Sequence, residues 1–382
     1  MQANNTPSPK KPGGQSDLDR ILSERSAALR QAYKVNRKKQ VMYLIMAAVL
    51  LFVLLLVGLS VGGASFNVAE SWRALITGIF TDPDKMERSQ QILWKLRVPR
   101  VLMAIVSGIG LSVAGLVMQT VLRNPLASPY TLGISSAASF GAALCIVTGL
   151  GVNSTLSIVL PKNVIIAVNA FFFSLLCTFL IYILSKTQRV TAETLVLFGV
   201  AMNFLFEAAT SFLQYVGTEE ELAELVYWMF GSLSKTTWNK LLIASVTVLI
   251  TVILTFIKSW DFNALMMGDE TAGSLGLNVE RLRVYGLVVA SFSTSVIVSL
   301  LGPIGFIGLV APHLGRILIG TDHRFLVPMS CLLGGCLLLG ADIVGNVILA
   351  PQIVPVGIVT SFVGVPLLVY LVTRRRTEYW QN

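Results

Sequence analysis

The feature that most constrains this chain is a series of apolar runs near bilayer length, recurring from residue 41 almost to the C-terminus. A hydrocarbon core of about 30 Å is crossed by about 20 helical residues, and inside it the backbone N–H and C=O groups must be satisfied within the segment itself. Uninterrupted runs of this length therefore predict membrane-spanning helices. They are readable at 41–61, 101–122, 131–150, 164–184, 193–216, 241–258, 284–301, a short piece at 306–319, 325–349 and 356–372. The expected fold is an all-α integral membrane protein of about ten spans. Only 13% of residues are charged, about half the share of a soluble domain.

The net charge of +9 could suggest a nucleic-acid partner, but the basic residues sit in short clusters at the ends of apolar runs instead of forming a continuous face. Nucleic acid is excluded on that ground, and a lipid bilayer is the expected surroundings. Lys34, Arg37, Lys38 and Lys39 precede the first span, and Arg374, Arg375 and Arg376 follow the last. By the positive-inside rule both termini are cytoplasmic. The chain divides into a polar, basic extension (1–40), a transmembrane domain (41–376) and a short tail (377–382). The extension reads as a loose tip followed by a surface helix. The first apolar run lies too far from the start, and is too long, for a cleaved signal. Cys145, Cys177, Cys331 and Cys336 fall inside apolar stretches without metal-ligand or redox spacing, so they are read as small core residues.

One polar interruption stands apart. Residues 261–283 carry Leu265, Met266, Ala272, Leu275 and Leu277 at helical spacing, punctuated by Gly268, Gly273 and Gly276. This predicts two short amphipathic helices meeting at a turn. A weak repeat is also visible: Arg97, Ser107 and Pro129 recur in similar relation as Arg281, Ser291 and Pro312. An odd number of spans separates the two sets, so the halves would be inverted, as in many transporters. Gly108, Gly110, Gly115, Gly302, Pro303, Gly305, Gly308 and Pro312 suit close helix contacts and broken helices. Glu207 falls mid-span among aromatic and small residues, where a carboxylate is costly unless it faces water or is protonated and bonded. It is expected to face a cavity.

The pattern G-x-E-x-A-x-x-L-G-L at 268–277 resembles the coupling loop of permease subunits of ABC importers for iron-siderophores, haem and cobalamin. Further motifs of that family are L-R-V-P-R (96–100), G-L-V-M-Q (115–119), N-P-L-A-S-P (124–129), G-P-I-G-F-I-G-L-V-A-P-H (302–313), T-D-H-R (321–324), A-D-I-V (341–344) and V-P-V-G-I (354–358). The resemblance implies a type II ABC importer architecture in the cytoplasmic membrane of a prokaryote. It implies contact with two ATPase subunits through Gly268, Glu270, Ala272, Leu275, Gly276 and Leu277, and a second permease subunit completing the passage. It implies docking of an extracytoplasmic substrate-binding protein at Arg97 and Arg100 on the outer rim. Where the family often has a third docking arginine, this chain has Asn346. Asn124 and Leu126, with Thr191 and Ala192, correspond to a cytoplasmic gate.

No G-x-x-x-x-G-K-[ST] is present: Lys235-Thr236 is preceded by Ser234, not Gly. ATP would be used by the partner subunits, and no cofactor, metal site or catalytic residue is expected here. An ion-driven secondary transporter would share the inverted halves and a mid-span acid. An intramembrane enzyme would need paired catalytic groups, which are not found. The expected cargo is an iron-siderophore complex, with haem or cobalamin as the alternative.

Overall fold

The computed structural model describes residues 14–60, 68–80, 86–152, 160–186 and 191–374. Among these residues the regular secondary structure is entirely helical. Helix α1 (Gly14–Ser60) is followed by α2 (Val68–Phe80), α3 (Arg88–Val121), α4 (Ile134–Thr148), α5 (Lys162–Lys186), α6 (Ala192–Val216) and α7 (Glu219–Met229). Then come α8 (Trp238–Ile257), α9 (Ser259–Met266), α10 (Asp269–Ser274), α11 (Val279–Leu301), α12 (Ile307–Ile319), α13 (His323–Val347) and α14 (Val356–Arg374). Seven helices are long and apolar enough to cross a membrane, and three shorter apolar ones (Ile134–Thr148, Ile307–Ile319, Val356–Tyr370) bring the set to the ten expected.

Two boundaries differ from the sequence reading. The surface helix and the first span are one helix, because no proline or glycine interrupts 15–57. Its expected loose tip, like the C-terminal tail, lies outside the described residues. The second span does not begin near 101: α3 starts at Arg88 and passes through a wider π-helical turn at Leu93–Arg97. That extension draws Arg97 and Arg100 into a helix.

The two halves correspond element by element. Val98–Val121, α4, α5 and α6 have 24, 15, 25 and 25 residues, and α11, α12, α13 and α14 have 23, 13, 25 and 19. In both halves an irregular stretch follows the long helix, and the short helix begins after a left-handed residue, Gly133 (φ 75°) or Phe306 (φ 67°). The halves are inverted, since Arg283 at the start of α11 donates to Val121 O at the end of α3 (3.2 Å). The register differs by two residues from the expected one: Arg281 is exposed, and Arg283 is the buried counterpart of Arg97. Both buried arginines close the C-terminal carbonyls of an earlier helix. Arg97 donates to Leu59 O and Ser60 O at 3.2 and 3.4 Å.

Helix α3 is the hub, with α8, α11, α12 and α13 packed around it. Lipid tails are as apolar as leucine, so helix association in a membrane rests on close packing, and small residues permit it. A Cβ added at Gly108 would lie 2.2 Å from Gly334 O on α13, and one at Gly115 would lie 1.7 Å from Gly308 O on α12. The backbones themselves touch at these crossings.

One face of the bundle carries the end of α3, α9, α10 and the start of α13. Gln40 on α1 donates to Ile319 O at this face (2.9 Å). The opposite, far face carries the stacked Trp94 and Trp238, with ring centroids 6.4 Å apart and Trp238 Nε1 donating to Trp94 O at 3.0 Å. Helix α14 starts at the far face, where Gly357 abuts Phe230 O. The span array therefore begins and ends on the same face.

Gly115→Ala is expected to destabilise the bundle by about 1–3 kcal/mol or more through overpacking. Gly340→Ala, where an added Cβ meets nothing within 4 Å, is expected to gain about 0.5–1 kcal/mol. Thermal unfolding of the two detergent-purified variants checks the contrast.

Candidate functional site

The polar segment folds as expected, into two short helices with the turn at Gly268 (φ 114°). Lys258 closes α8 and pairs with Asp261 at 2.8 Å. Phe262, Leu265 and Ala272 are completely buried, which fixes the pair against the bundle. Met267 and Leu275 are 70% and 64% exposed. Glu270 is exposed, and Gly273 and Gly276 have open space where a side chain would be. Of the six residues expected to contact a partner, Glu270, Leu275 and Gly276 lie outward and Gly268 and Leu277 are half-buried. Ala272 is an anchor, buried because it faces the bundle across a single turn.

Beneath this surface lies a polar base that sequence reasoning did not assemble. Asn263 on α9 donates to Asp322 Oδ1 (2.9 Å), while its own Oδ1 accepts from the His323 backbone N–H (2.9 Å) and lies 2.8 Å from His323 Nδ1. The other ring nitrogen of His323 is 2.8 Å from Thr120 Oγ1 on α3. Burial alone would raise the Asp322 carboxyl, but hydrogen bonds from Arg324 and Asn263 outweigh it and hold the group below the usual range. Arg324 also lies over the Trp260 ring, 4.2 Å from its centroid. On the other side Arg283 pairs with Asp269 of α10 (2.8 Å). The helix pair is thus tied to α3, α11 and α13 together. The T-D-H-R run was the available signal; its partner Asn263 lies about 60 residues away in sequence and could not be read.

The expected gate residues stand on this face. Asn124 Oδ1 accepts from Leu126 N (2.9 Å), forming a tight turn that leaves Leu126 45% exposed. Thr191 caps α6 by accepting from Thr194 N (3.2 Å), and Ala192 is buried behind it. Glu193, beside Ala192, lies in the field of Arg283 and Arg123.

A cavity of about 770 Å³ opens beside both irregular segments, lined by Ser128 and Tyr130 from the first, Pro303 and Phe306 from the second, and Ser361 and Phe362 of α14. Glu207 is exposed on α6 near Tyr130, whose hydroxyl feels its charge. A short chain positions it: Ser136 Oγ donates to Asn203 Oδ1 (2.6 Å), and Asn203 Nδ2 donates to Glu207 Oε1 (3.0 Å).

The two rim arginines are engaged within the chain. Arg97 is buried against the end of α1, and Arg100 donates from Nη2 to Oδ1 (2.7 Å) and from Nε to Oδ1 and Oδ2 (3.0 and 3.2 Å) of buried Asp342. Asn346 Nδ2 completes that carboxylate at 3.2 Å. The cause is the early start of α3, which places both arginines in the bundle wall.

Ten apolar helices in two inverted halves, a cleft beside the broken segments and a helix pair presented on one face together define a multi-pass membrane permease. Residues 50–374 match the FecCD transport family, and the chain belongs to it. It is 43% identical to an ABC transporter permease protein of Methanocaldococcus jannaschii, over 90% of this chain and 97% of that protein. It is 40% identical to the hemin transport system permease protein HmuU of Yersinia pestis, over 75% of this chain and 84% of that protein. A metal-chelate type ABC transporter solved in an inward-facing conformation shares 29% identity with a TM-score of 0.75, covering 87% of this chain and 99% of the other. The family resemblance and the type II importer architecture are both borne out.

Asn263→Leu removes the amide shared by Asp322 and His323 and is expected to cost about 1–3 kcal/mol of local stability. Hydrogen exchange should show lost protection in α9 and α10, with α3 unchanged.

Proposed function

We propose that this chain is the membrane-spanning subunit of an ATP-driven importer that carries an iron-siderophore complex across the cytoplasmic membrane. The observation that carries this reading is the coupling pair. It is a polar helix–turn–helix with Glu270, Leu275 and two open glycines outward, on a base bonded to three spanning helices. Such a surface receives a push from a partner and passes it to the bundle. On this reading the coupling face and both termini are cytoplasmic, and an ATPase subunit seats on residues 261–283 of each of two permease subunits.

The second subunit has a place to sit. Leu197, Phe204, Phe212 and Tyr215 of α6 are exposed and Glu207 is exposed on the same helix, while Phe362 and Val365 of α14 are exposed at the cavity they line. A carboxylate held against lipid tails at this depth would be costly. Facing α6 and α14 toward a second copy around a water-filled passage removes that cost, with Asn124, Leu126, Thr191 and Ala192 closing its cytoplasmic end. An extracytoplasmic binding protein delivers cargo at the far face. Similarity to the hemin permease HmuU makes haem the second reading for cargo.

Glu270→Arg and Gly276→Pro are expected to leave the protein folded in the membrane but abolish co-purification of the ATPase and cargo uptake; normal uptake in both would sink the assignment. Mass spectrometry of small molecules retained by the native complex separates a siderophore from haem. A cysteine at position 207, with the four native cysteines removed, should react with a small water-soluble thiol reagent in the outward-open state. If it stays unreactive in every nucleotide state, the α6 face does not line the passage.

A further inference from the structure

The cavity of about 770 Å³ beside Phe306 is lined without any Asp, Glu, Lys, Arg or His. Its polar side chains are Ser128, Tyr130, Thr131 and Ser361, set among apolar and aromatic ones such as Phe230 and Phe306. A charged group of a cargo would lose water there without meeting a counter-ion in this wall, which is costly. Charge enters the balance only from residues that stand next to the lining.

Glu207 is such a residue. The stretch that supplies Tyr130 is packed directly on α6: a Cβ added at Gly199 would lie 2.4 Å from Leu132 Cδ2, and one at Gly133 would lie 2.7 Å from Asn203 N. Gly199, Asn203 and Glu207 follow one another at four-residue steps and share one stripe of the helix. Asn203, held by Ser136, donates to Glu207 Oε1 (3.0 Å), and among the described residues Glu207 Oε2 and the Tyr130 hydroxyl have no hydrogen-bond partner. Tyr130 is 45% exposed where it lines the cavity, and the charge of Glu207 reaches its hydroxyl. A cation near these two oxygens is favoured and an anion is repelled.

We propose that the passage selects its cargo by charge, with Glu207 and the Tyr130 hydroxyl receiving an ammonium or other donor group, so that the chelates it carries are neutral or cationic. The inference rests on the reading above that turns α6 toward the passage, and it narrows the cargo class. Three hydroxamate anions neutralise a ferric ion, and an appended ammonium makes such a chelate a cation. Three catecholate dianions leave a trianion, and haem carries two propionates. Ferric trihydroxamates therefore suit this passage, while Glu207 acts against the other two. A second copy of the chain would bring its own Glu207 to the same passage, so the discrimination would act from both walls.

A linear ferric trihydroxamate in three forms tests this: its free terminal ammonium, N-acetyl and N-succinyl forms put a positive, no or a negative charge on one iron core. Uptake of each is measured in cells carrying the complete importer, and each variant is compared with the unmodified permease so that any preference of the binding protein cancels. Glu207→Gln should shrink the cation-to-anion uptake ratio roughly tenfold. Glu207→Lys should invert the preference, and Tyr130→Phe should shrink the ratio less. In Glu207→Cys lacking the native cysteines, a sulfonate-bearing thiol reagent should restore the preference and an ammonium-bearing one should reverse it. An equal loss for all three forms, an unchanged ratio in both the Gln and Lys variants, or no uptake of any form by the unmodified importer overturns the proposal. The thiol reaction separates the two levels. If the cysteine at 207 reacts but the ratios do not move, the charge filter alone is wrong; if it is unreactive in every nucleotide state, the reading of α6 as a passage wall falls.

Discussion

Backbone contact between helices is the interaction on which the rest of this structure depends. Inside lipid there is little hydrophobic gain from bringing two apolar helices together, so the bundle must hold by closeness of fit. Helix α3 supplies that fit at Gly115 against Gly308 and at Gly108 against Gly334. The first crossing joins it to the short helix after the second broken segment, and the second joins it to the long helix that follows. A continuous axis results, running from Trp94 at the far face to Thr120 at the face that carries α9 and α10.

The polar base beneath α9 and α10 is built on the end of that axis. Thr120 is the last turn of α3, and through His323 and Asn263 it meets α9 directly. Arg283 makes the corresponding link from the start of α11, joining Val121 O to Asp269. Helices α9 and α10 are therefore bonded to two antiparallel long helices, one from each half. Both long helices are followed by irregular segments, and residues of both segments border the large cavity.

Span count, the two-helix form of the coupling segment and the inversion were legible because each depends on local pattern: run length, helical spacing and the order of glycine and proline. The repeat register was misread at Arg281 because two arginines stand two residues apart, and only packing shows that Arg283 turns inward. The internal partners of Arg97 and Arg100 were hidden for a related reason. Hydropathy marks where a helix enters lipid, not where it begins, and α3 starts a dozen residues before its apolar run. The cluster of Thr120, Asn263, Asp322 and His323 was out of reach, since its members come from separate helices.

The placement of charge within the bundle follows one rule with one exception. Arg97 and Arg283 sit where helices end and carbonyls lack partners, and Arg316, in the last turn of α12, meets Gln119 Oε1. Each cation is thus held by dipoles already present in the fold. Asp342 meets Arg100 and Asn346 inside the far-face wall. Glu207 alone among these groups has no cation opposite it, only the amide of Asn203 and the neighbouring Tyr130, and it faces outward from the subunit. A carboxylate left toward lipid would be costly, and for that reason the importer reading proposed above turns the open side of α6 toward a wet passage shared with a second subunit.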